Sequence, residues 1–124
     1  MKNAACFVNL SNHPVKTWDE TQILAAEEMG KIIDLPFPDI MPEMDINEID
    51  ILACQYVERV LALAKNERLS VHVMGEMCFT HRFVNLMTQR GIPCYASTSR
   101  RVVTEKGGGV KEAVFQFVRF RKYM

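Results

Sequence analysis

The chain has 124 residues, 48% hydrophobic and 24% charged, with 15 basic and 15 acidic side chains and no net charge. That length makes one domain, 1–124, with a real core, and the charge balance excludes binding to long nucleic acid by charge alone, while leaving room for a small anionic ligand held by a local cluster. No apolar run reaches transmembrane length and the N-terminus lacks a signal peptide's apolar region, so the expectation is a cytoplasmic protein with no membrane partner.

Ala4 to Leu10 is a short apolar run that reads as the first strand, central in its sheet. Ser11-Asn12-His13-Pro14 follows as a loop, with Pro14 turning His13 away from helix. Thr17 or Asp19 can cap the next helix, whose inner face would hold Trp18, Ile23, Ala26 and Met29 and which Gly30 ends. Lys31 to Leu35 is a second strand. Pro36, Pro38 and Pro42 then make an extended surface loop long enough to reach over a neighbouring site. Asp45 or Asn47 caps a long helix to about Asn66, with an apolar stripe through Ile49, Leu52, Ala53, Tyr56, Val57, Val60, Leu61 and Ala64.

Leu69 to Gly91 reads as a buried strand, a tight turn at Gly75 and a helix carrying Phe79, Phe83, Leu86 and Met87 on one side. The free N–H groups at that helix start suit an anion, above all a phosphate, although the turn is GEMCFT and not a glycine-rich phosphate loop. Ile92 to Ala96 is a fourth strand, followed by a polar turn, Ser97-Thr98-Ser99, and the pair Arg100-Arg101. Val102 to Glu105, three glycines and Val110 to Arg121 read as a β-hairpin. Cys6, Cys54, Cys78 and Cys94 are scattered in apolar contexts without a CxxC pair, so they read as buried free thiols, with no metal and no cofactor implied.

The alternation of strands and helices predicts an α/β, small three-layer Rossmann-like domain with a mostly parallel sheet and a C-terminal hairpin. Its ligand site should lie at the carboxyl ends of the first, third and fourth strands. Three loops would converge there. The first brings Asn9, Ser11, Asn12 and His13. The second brings Gly75, Glu76, Met77, Thr80, His81 and Arg82, and the third Ser97, Thr98, Ser99, Arg100 and Arg101. Hydroxyls, amides and guanidinium groups with one acid fit phosphates and ribose hydroxyls. No dinucleotide fingerprint follows the first strand, which disfavours a dehydrogenase.

Each residue also has a plainer reading. Ser11 to Pro14 can be a turn alone, and His13 can be a general acid or base or an ordinary loop histidine. His72 reads as a satisfied core residue, and Trp18 as core in preference to a base-stacking platform. Glu76 can orient Arg82 or Arg100 or accept from a base or ribose. Arg100 and Arg101 can clamp phosphates, or one can be solvated. Metal-independent RNA cleavage needs less than a triad: a ribose 2′-hydroxyl held in line attacks its own neighbouring phosphate.

The opening FVNLSNHP followed by WDETQ, with MGEMCFT before a helix and ASTSRR before the hairpin, resembles small CRISPR-associated ring nucleases. These are similar to a stand-alone CARF domain, the sensor of cyclic oligoadenylates in type III CRISPR systems. The resemblance implies a homodimer that binds cyclic tetra-adenylate across its two-fold axis and cleaves it without metal to products ending in a 2′,3′-cyclic phosphate. It implies that Ser11 and its loop line the ring, that Gly75 to Thr80 receive phosphate or base, and that Arg100 or Arg101 stabilises developing charge. Ser11, His13 and Arg100 are then the catalytic candidates. GEMCFT stands where many CARF domains carry a glycine-, threonine- and lysine-rich loop, which leaves the catalytic residue and ring size open. A sensor or sponge that binds the ring without cutting it, and a Rossmann-like mononucleotide or protein-interaction module, are the alternatives.

Overall fold

Along the first strand, β1 (Ala5–Ser11), side chains alternate between two cores. Cys6, Val8 and Leu10 enter a large cluster with Ile49, Ala53, Val57, Phe79, Phe83 and Met87. Phe7 enters a smaller one with Trp18 and Ala26. A strand buried on both faces needs helices on both, and this computed structural model, which describes residues 4–124, supplies them. The first three residues of the expected domain lie outside the described residues.

The elements run β1, α1 (Glu20–Met29), β2 (Lys31–Pro36), α2 (Ile46–Ala64), β3 (Arg68–Met74), α3 (Met77–Gln89), β4 (Cys94–Lys106) and β5 (Val110–Lys122). The five-stranded sheet has the order β2-β1-β3-β4-β5. β2, β1, β3 and β4 pair in parallel, and β5 pairs antiparallel with β4. The fold is thus α/β and Rossmann-like, as the sequence predicts. β1 is interior, but β3 holds the middle position.

The chain steps one way from β1 to β2 and the other way from β2 to β3 and β3 to β4. Crossovers of one hand then place α1 on one face and α2 with α3 on the other. The same reversal opens a crevice between the carboxyl ends of β1 and β3.

Local chemistry fixes the helix starts. Asp19, and not Thr17, caps α1, accepting from the Gln22 N–H at 2.8 Å. Trp18 precedes this helix, after a single 3-10 turn at Val15–Thr17. Asp45 and Glu48 form a reciprocal capping box on α2. That helix stops at Ala64, where Lys65 and Asn66 turn left-handed.

The polar turn expected at Ser97-Thr98-Ser99 does not form. β4 runs unbroken for 13 residues, and only Cys94 and Tyr95 pair with β3. Beyond them β4 and β5 continue as a two-stranded ribbon. A β-bulge between Thr98 and Ser99 replaces the turn. Thr98 fills it, its hydroxyl donating to the Arg119 carbonyl at 3.0 Å and accepting the Arg119 N–H at 3.2 Å. Pairing with β5 satisfies backbone groups that Ser and Thr side chains would otherwise serve in a turn.

Cys6 and Cys94 are buried, and burial pushes the Cys94 thiol up to about 12. Cys54 and Cys78 are exposed, against the expectation of four buried thiols, because they fall on the solvent sides of α2 and α3. Among the described residues no helix is long and apolar enough to cross a membrane.

Candidate functional site

Asn9 and Ser11 lie on the β1 face that meets α1, since odd positions point that way. β1 and β3 pair with Asn9 opposite His72, and β3 and β4 pair with His72 opposite Tyr95. The polar side chains of Asn9, Ser11, His72 and Ser97 thereby gather near the carboxyl edge.

Their hydrogen bonds form one chain. Asn9 Nδ2 donates to Asp34 Oδ1 and to the His13 carbonyl, both at 2.9 Å. Ser11 Oγ donates to Asn9 Oδ1 at 2.8 Å, and His72 Nδ1 meets the same oxygen at 2.8 Å. His72 Nε2 lies 3.2 Å from Ser97 Oγ. Ser97 is half-buried, and its N–H and its hydroxyl both reach the Met74 sulfur, at 3.3 and 3.1 Å.

His72 is itself enclosed. The Trp18 ring meets it edge-on at 5.5 Å and Phe120 at 5.3 Å, and Phe7 lies behind. Burial, with a contribution from His13, lowers its pKa to about 4, so the ring is neutral near pH 7. Trp18 is core, and its Nε1 ties the loop by donating to the His13 carbonyl at 2.9 Å. His13 takes part in the network through its backbone, while its side chain is exposed.

The second expected loop is present, but its helix start is already filled. Glu76 is the N-cap of α3 and accepts the Phe79 N–H at 2.7 Å, so the anticipated phosphate position holds a carboxylate of the chain itself. Gly75 lies under Phe37, where an added Cβ would come within 2.3 Å of the ring. The proline-rich loop therefore does reach over the crevice, and the Phe37 N–H donates to the Ser11 carbonyl at 3.4 Å. Met77 is 83% exposed. Thr80 is buried with no partner for its hydroxyl, and Arg82 Nε binds Asp50 Oδ1 at 2.6 Å across α2 and α3.

The third loop is strand, so its residues separate. Ser97 joins the edge and Thr98 fills the bulge. Ser99, Arg100 and Arg101 stand exposed at the start of the ribbon, with Arg100 opposite Gln116 and Arg101 opposite Phe115.

Three hollows flank this edge. One of about 190 Å³ lies between Asn9, Ser11, Asn12, Asp34 and Phe37, and one of about 260 Å³ joins Asn12 and Phe37 to Asp39 and Glu76. A wider groove of about 1060 Å³ runs between Ile40, Met44, Met77 and Arg82. The two smaller hollows carry acids and no guanidinium. The cations lie on the ribbon: residues 99–122 hold seven Lys or Arg against two acids, and the rest of the chain eight against thirteen.

Position-by-position reading missed His72 as the hub and Asp34 as the group that fixes Asn9. The available signal was a polar residue in the middle of each of two buried strands, Asn9 and His72.

The model of the family described as "Uncharacterized protein MJ1673 family" matches residues 5–121. No curated protein matches the chain.

Proposed function

We propose that this chain, which belongs to the uncharacterized protein MJ1673 family, is a metal-independent ring nuclease that binds and cleaves a cyclic oligoadenylate. Cyclic tetra-adenylate is the favoured ring. The observation that carries the reading is the cluster of Asn9, Ser11, His72 and Ser97 at the carboxyl edge of β1, β3 and β4, beside the point where the strand order reverses. Open α/β sheets bind nucleotides there. Amides, hydroxyls and a neutral imidazole match ribose and phosphate oxygens. The nearby acid Asp39 can accept from a base amine.

Intramolecular cleavage suits such a site. The attacking 2′-hydroxyl belongs to the substrate, so the protein has to hold it in line with its phosphate and stabilise the developing charge. The adjacent cations are those of the ribbon, Arg100 and Arg101 first. Arg100 starts three residues beyond Ser97, about 10 Å along an extended strand.

The reading includes a homodimer. A two-stranded ribbon is marginal alone in water, and this one exposes Val103, Val110, Val114, Phe115 and Val118. Its excess of positive charge complements the acidic remainder of a second copy. A ring of repeating nucleotides would then meet two equal pockets related by two-fold symmetry. Cleavage would switch off type III CRISPR effectors, in a reducing cytoplasm where four unpaired thiols persist.

Incubation with labelled cyclic tetra-adenylate in EDTA, followed by chromatography, tests this. Linear products ending in a 2′,3′-cyclic phosphate support it, and an intact ring refutes cleavage. A second reading, a sensor or sponge, is favoured by Ser11. Its hydroxyl is committed to Asn9 and 95% of the residue is out of solvent, so it braces the site and does not attack. Tight binding with an intact ring would establish that reading.

A further inference from the structure

The hydrogen-bond chain fixes where its protons lie. Asp34 is a carboxylate and can only accept, so the Asn9 atom 2.9 Å from it is the amide nitrogen. The same nitrogen donates to the His13 carbonyl, which agrees. Asn9 Oδ1 therefore faces His72 Nδ1 at 2.8 Å, and an amide oxygen also only accepts. The proton of the neutral His72 ring is thus on Nδ1, and the lone pair is on Nε2. Ser97 Oγ lies 3.2 Å from Nε2 and 3.1 Å from the Met74 sulfur, and its one proton goes to the imidazole nitrogen, the stronger acceptor of the two.

The result is a hydroxyl, a base and an orienting group in the order Ser97, His72, Asn9, with Asp34 behind them. Three strands supply it: β4, β3 and β1. This is the arrangement of an activated hydroxyl, in which the base is held in one tautomer by a third group. Ser97 is its accessible end, because His72 is 2% exposed and Ser97 is half-buried beside Met74, itself 38% exposed.

We propose that Ser97 and His72 are the proton-accepting pair of this site, for a substrate with a ribose 2′-hydroxyl beside a phosphodiester. The inference rests on the ring-nuclease reading and supplies its missing base. Ser97 Oγ takes the proton of the 2′-hydroxyl while passing its own proton to His72 Nε2. The 2′-oxygen forms its bond to phosphorus as the bond from phosphorus to the 5′-oxygen breaks. The departing 5′-oxygen takes a proton from water. His72, briefly an imidazolium, returns its proton to solvent through Ser97. Ser97 touches the reacting atom and is a catalytic residue, whereas Asn9 and Asp34 are positioning residues. No electrons are transferred to or from an outside reagent.

The test uses the full chain with cyclic tetra-adenylate in EDTA, comparing wild type, Ser97→Ala and Ser97→Thr. Removing a general base that acts only in the transition state lowers kcat and leaves KM in place. Ser97→Ala should lose about 100-fold in kcat with KM within about two-fold, and Ser97→Thr, which keeps the hydroxyl, should recover to within about tenfold of wild type. A merely structural Ser97 would not produce that split or that recovery. Ring cleavage by Ser97→Ala at the wild-type rate, or equal loss in both variants, overturns the pair and leaves the ring-nuclease reading standing. A wild-type protein that leaves the ring intact overturns both. Ser97 is half-buried and outside the core, and circular dichroism of each variant confirms that folding is retained.

Discussion

Acidifying the protein should destabilise it through His72 in a narrow window. The folded-state pKa is about 4, lowered first by burial and then by His13, against 6.5 for an unperturbed histidine. The unfolded chain therefore takes up a proton as pH falls below about 6.5 and the folded chain does not until about 4. Stability rises with pH wherever the unfolded state binds more protons, so the neutral histidine's contribution is complete above about pH 7 and is lost as pH falls. A difference of about 2.5 pKa units corresponds to about 3 kcal/mol when fully titrated, of which roughly three quarters is gone by pH 4.5. Against the 5 to 15 kcal/mol typical of a domain, that is a visible fraction. Urea unfolding at pH 7, 6, 5 and 4.5, for wild type and His72→Gln, measures it. Carboxylates titrate in both proteins and cancel in the comparison. The gap between the two stability curves should change by about 1 kcal/mol between pH 6 and 5. Parallel curves would show that His72 is not a buried neutral group, and the proton assignment along Asn9, His72 and Ser97 would fall with it.

Gly75→Ala should push the Phe37 ring off the crevice and cost about 1 to 3 kcal/mol, read as a fall in Tm, because the added Cβ would meet that ring at 2.3 Å. An unchanged Tm would mean that Phe37 does not pack there. Asp45→Ala removes the capping box of α2 and should cost about 1 kcal/mol in urea unfolding, whereas Asn47→Ala should cost much less. Val114→Glu with Phe115→Glu should convert a dimer, measured by light scattering, to a monomer of unchanged thermal stability, since both residues are exposed in one chain. A wild-type monomer at high concentration would refute the role given to the ribbon. Iodoacetamide should modify Cys54 and Cys78 in the folded protein and spare Cys6 and Cys94, by mass spectrometry.

The layered fold was legible because its periods differ. Ala4 to Val8 is apolar at consecutive positions, as a strand covered on both faces must be, and the helix after Gly75 returns to a spacing of three and four. What failed at Ser97-Thr98-Ser99 was composition taken as conformation. Small hydroxyl residues favour turns when the backbone has no better partner, and here β5 provides one, with Thr98 folded into the bulge between them. That one change moves Arg100 and Arg101 from a loop over the site to the base of a ribbon.

Glu76 shows a second limit. An acid beside a helix start is comfortable whether it serves a ligand or the helix, and only the 2.7 Å bond from the Phe79 N–H settles that it serves the helix. His72 shows a third. A histidine in mid-strand reads as core, and it is core by burial. Its chemistry appears only once the register sets Asn9 on one side and Ser97 on the other, and register depends on strand order, which no local pattern contains.

The most direct test of the central claim, that the carboxyl edge of β1, β3 and β4 receives a cyclic oligoadenylate, is an amide NMR titration of Ser97→Ala with cyclic tetra-adenylate. The account predicts shifts concentrated at Asn9, Ser11, Asn12, His72 and the segment from Ser97 to Arg101, saturating at about one ring per two chains. Shifts confined to the groove beside Arg82, or no shifts at all, would contradict it.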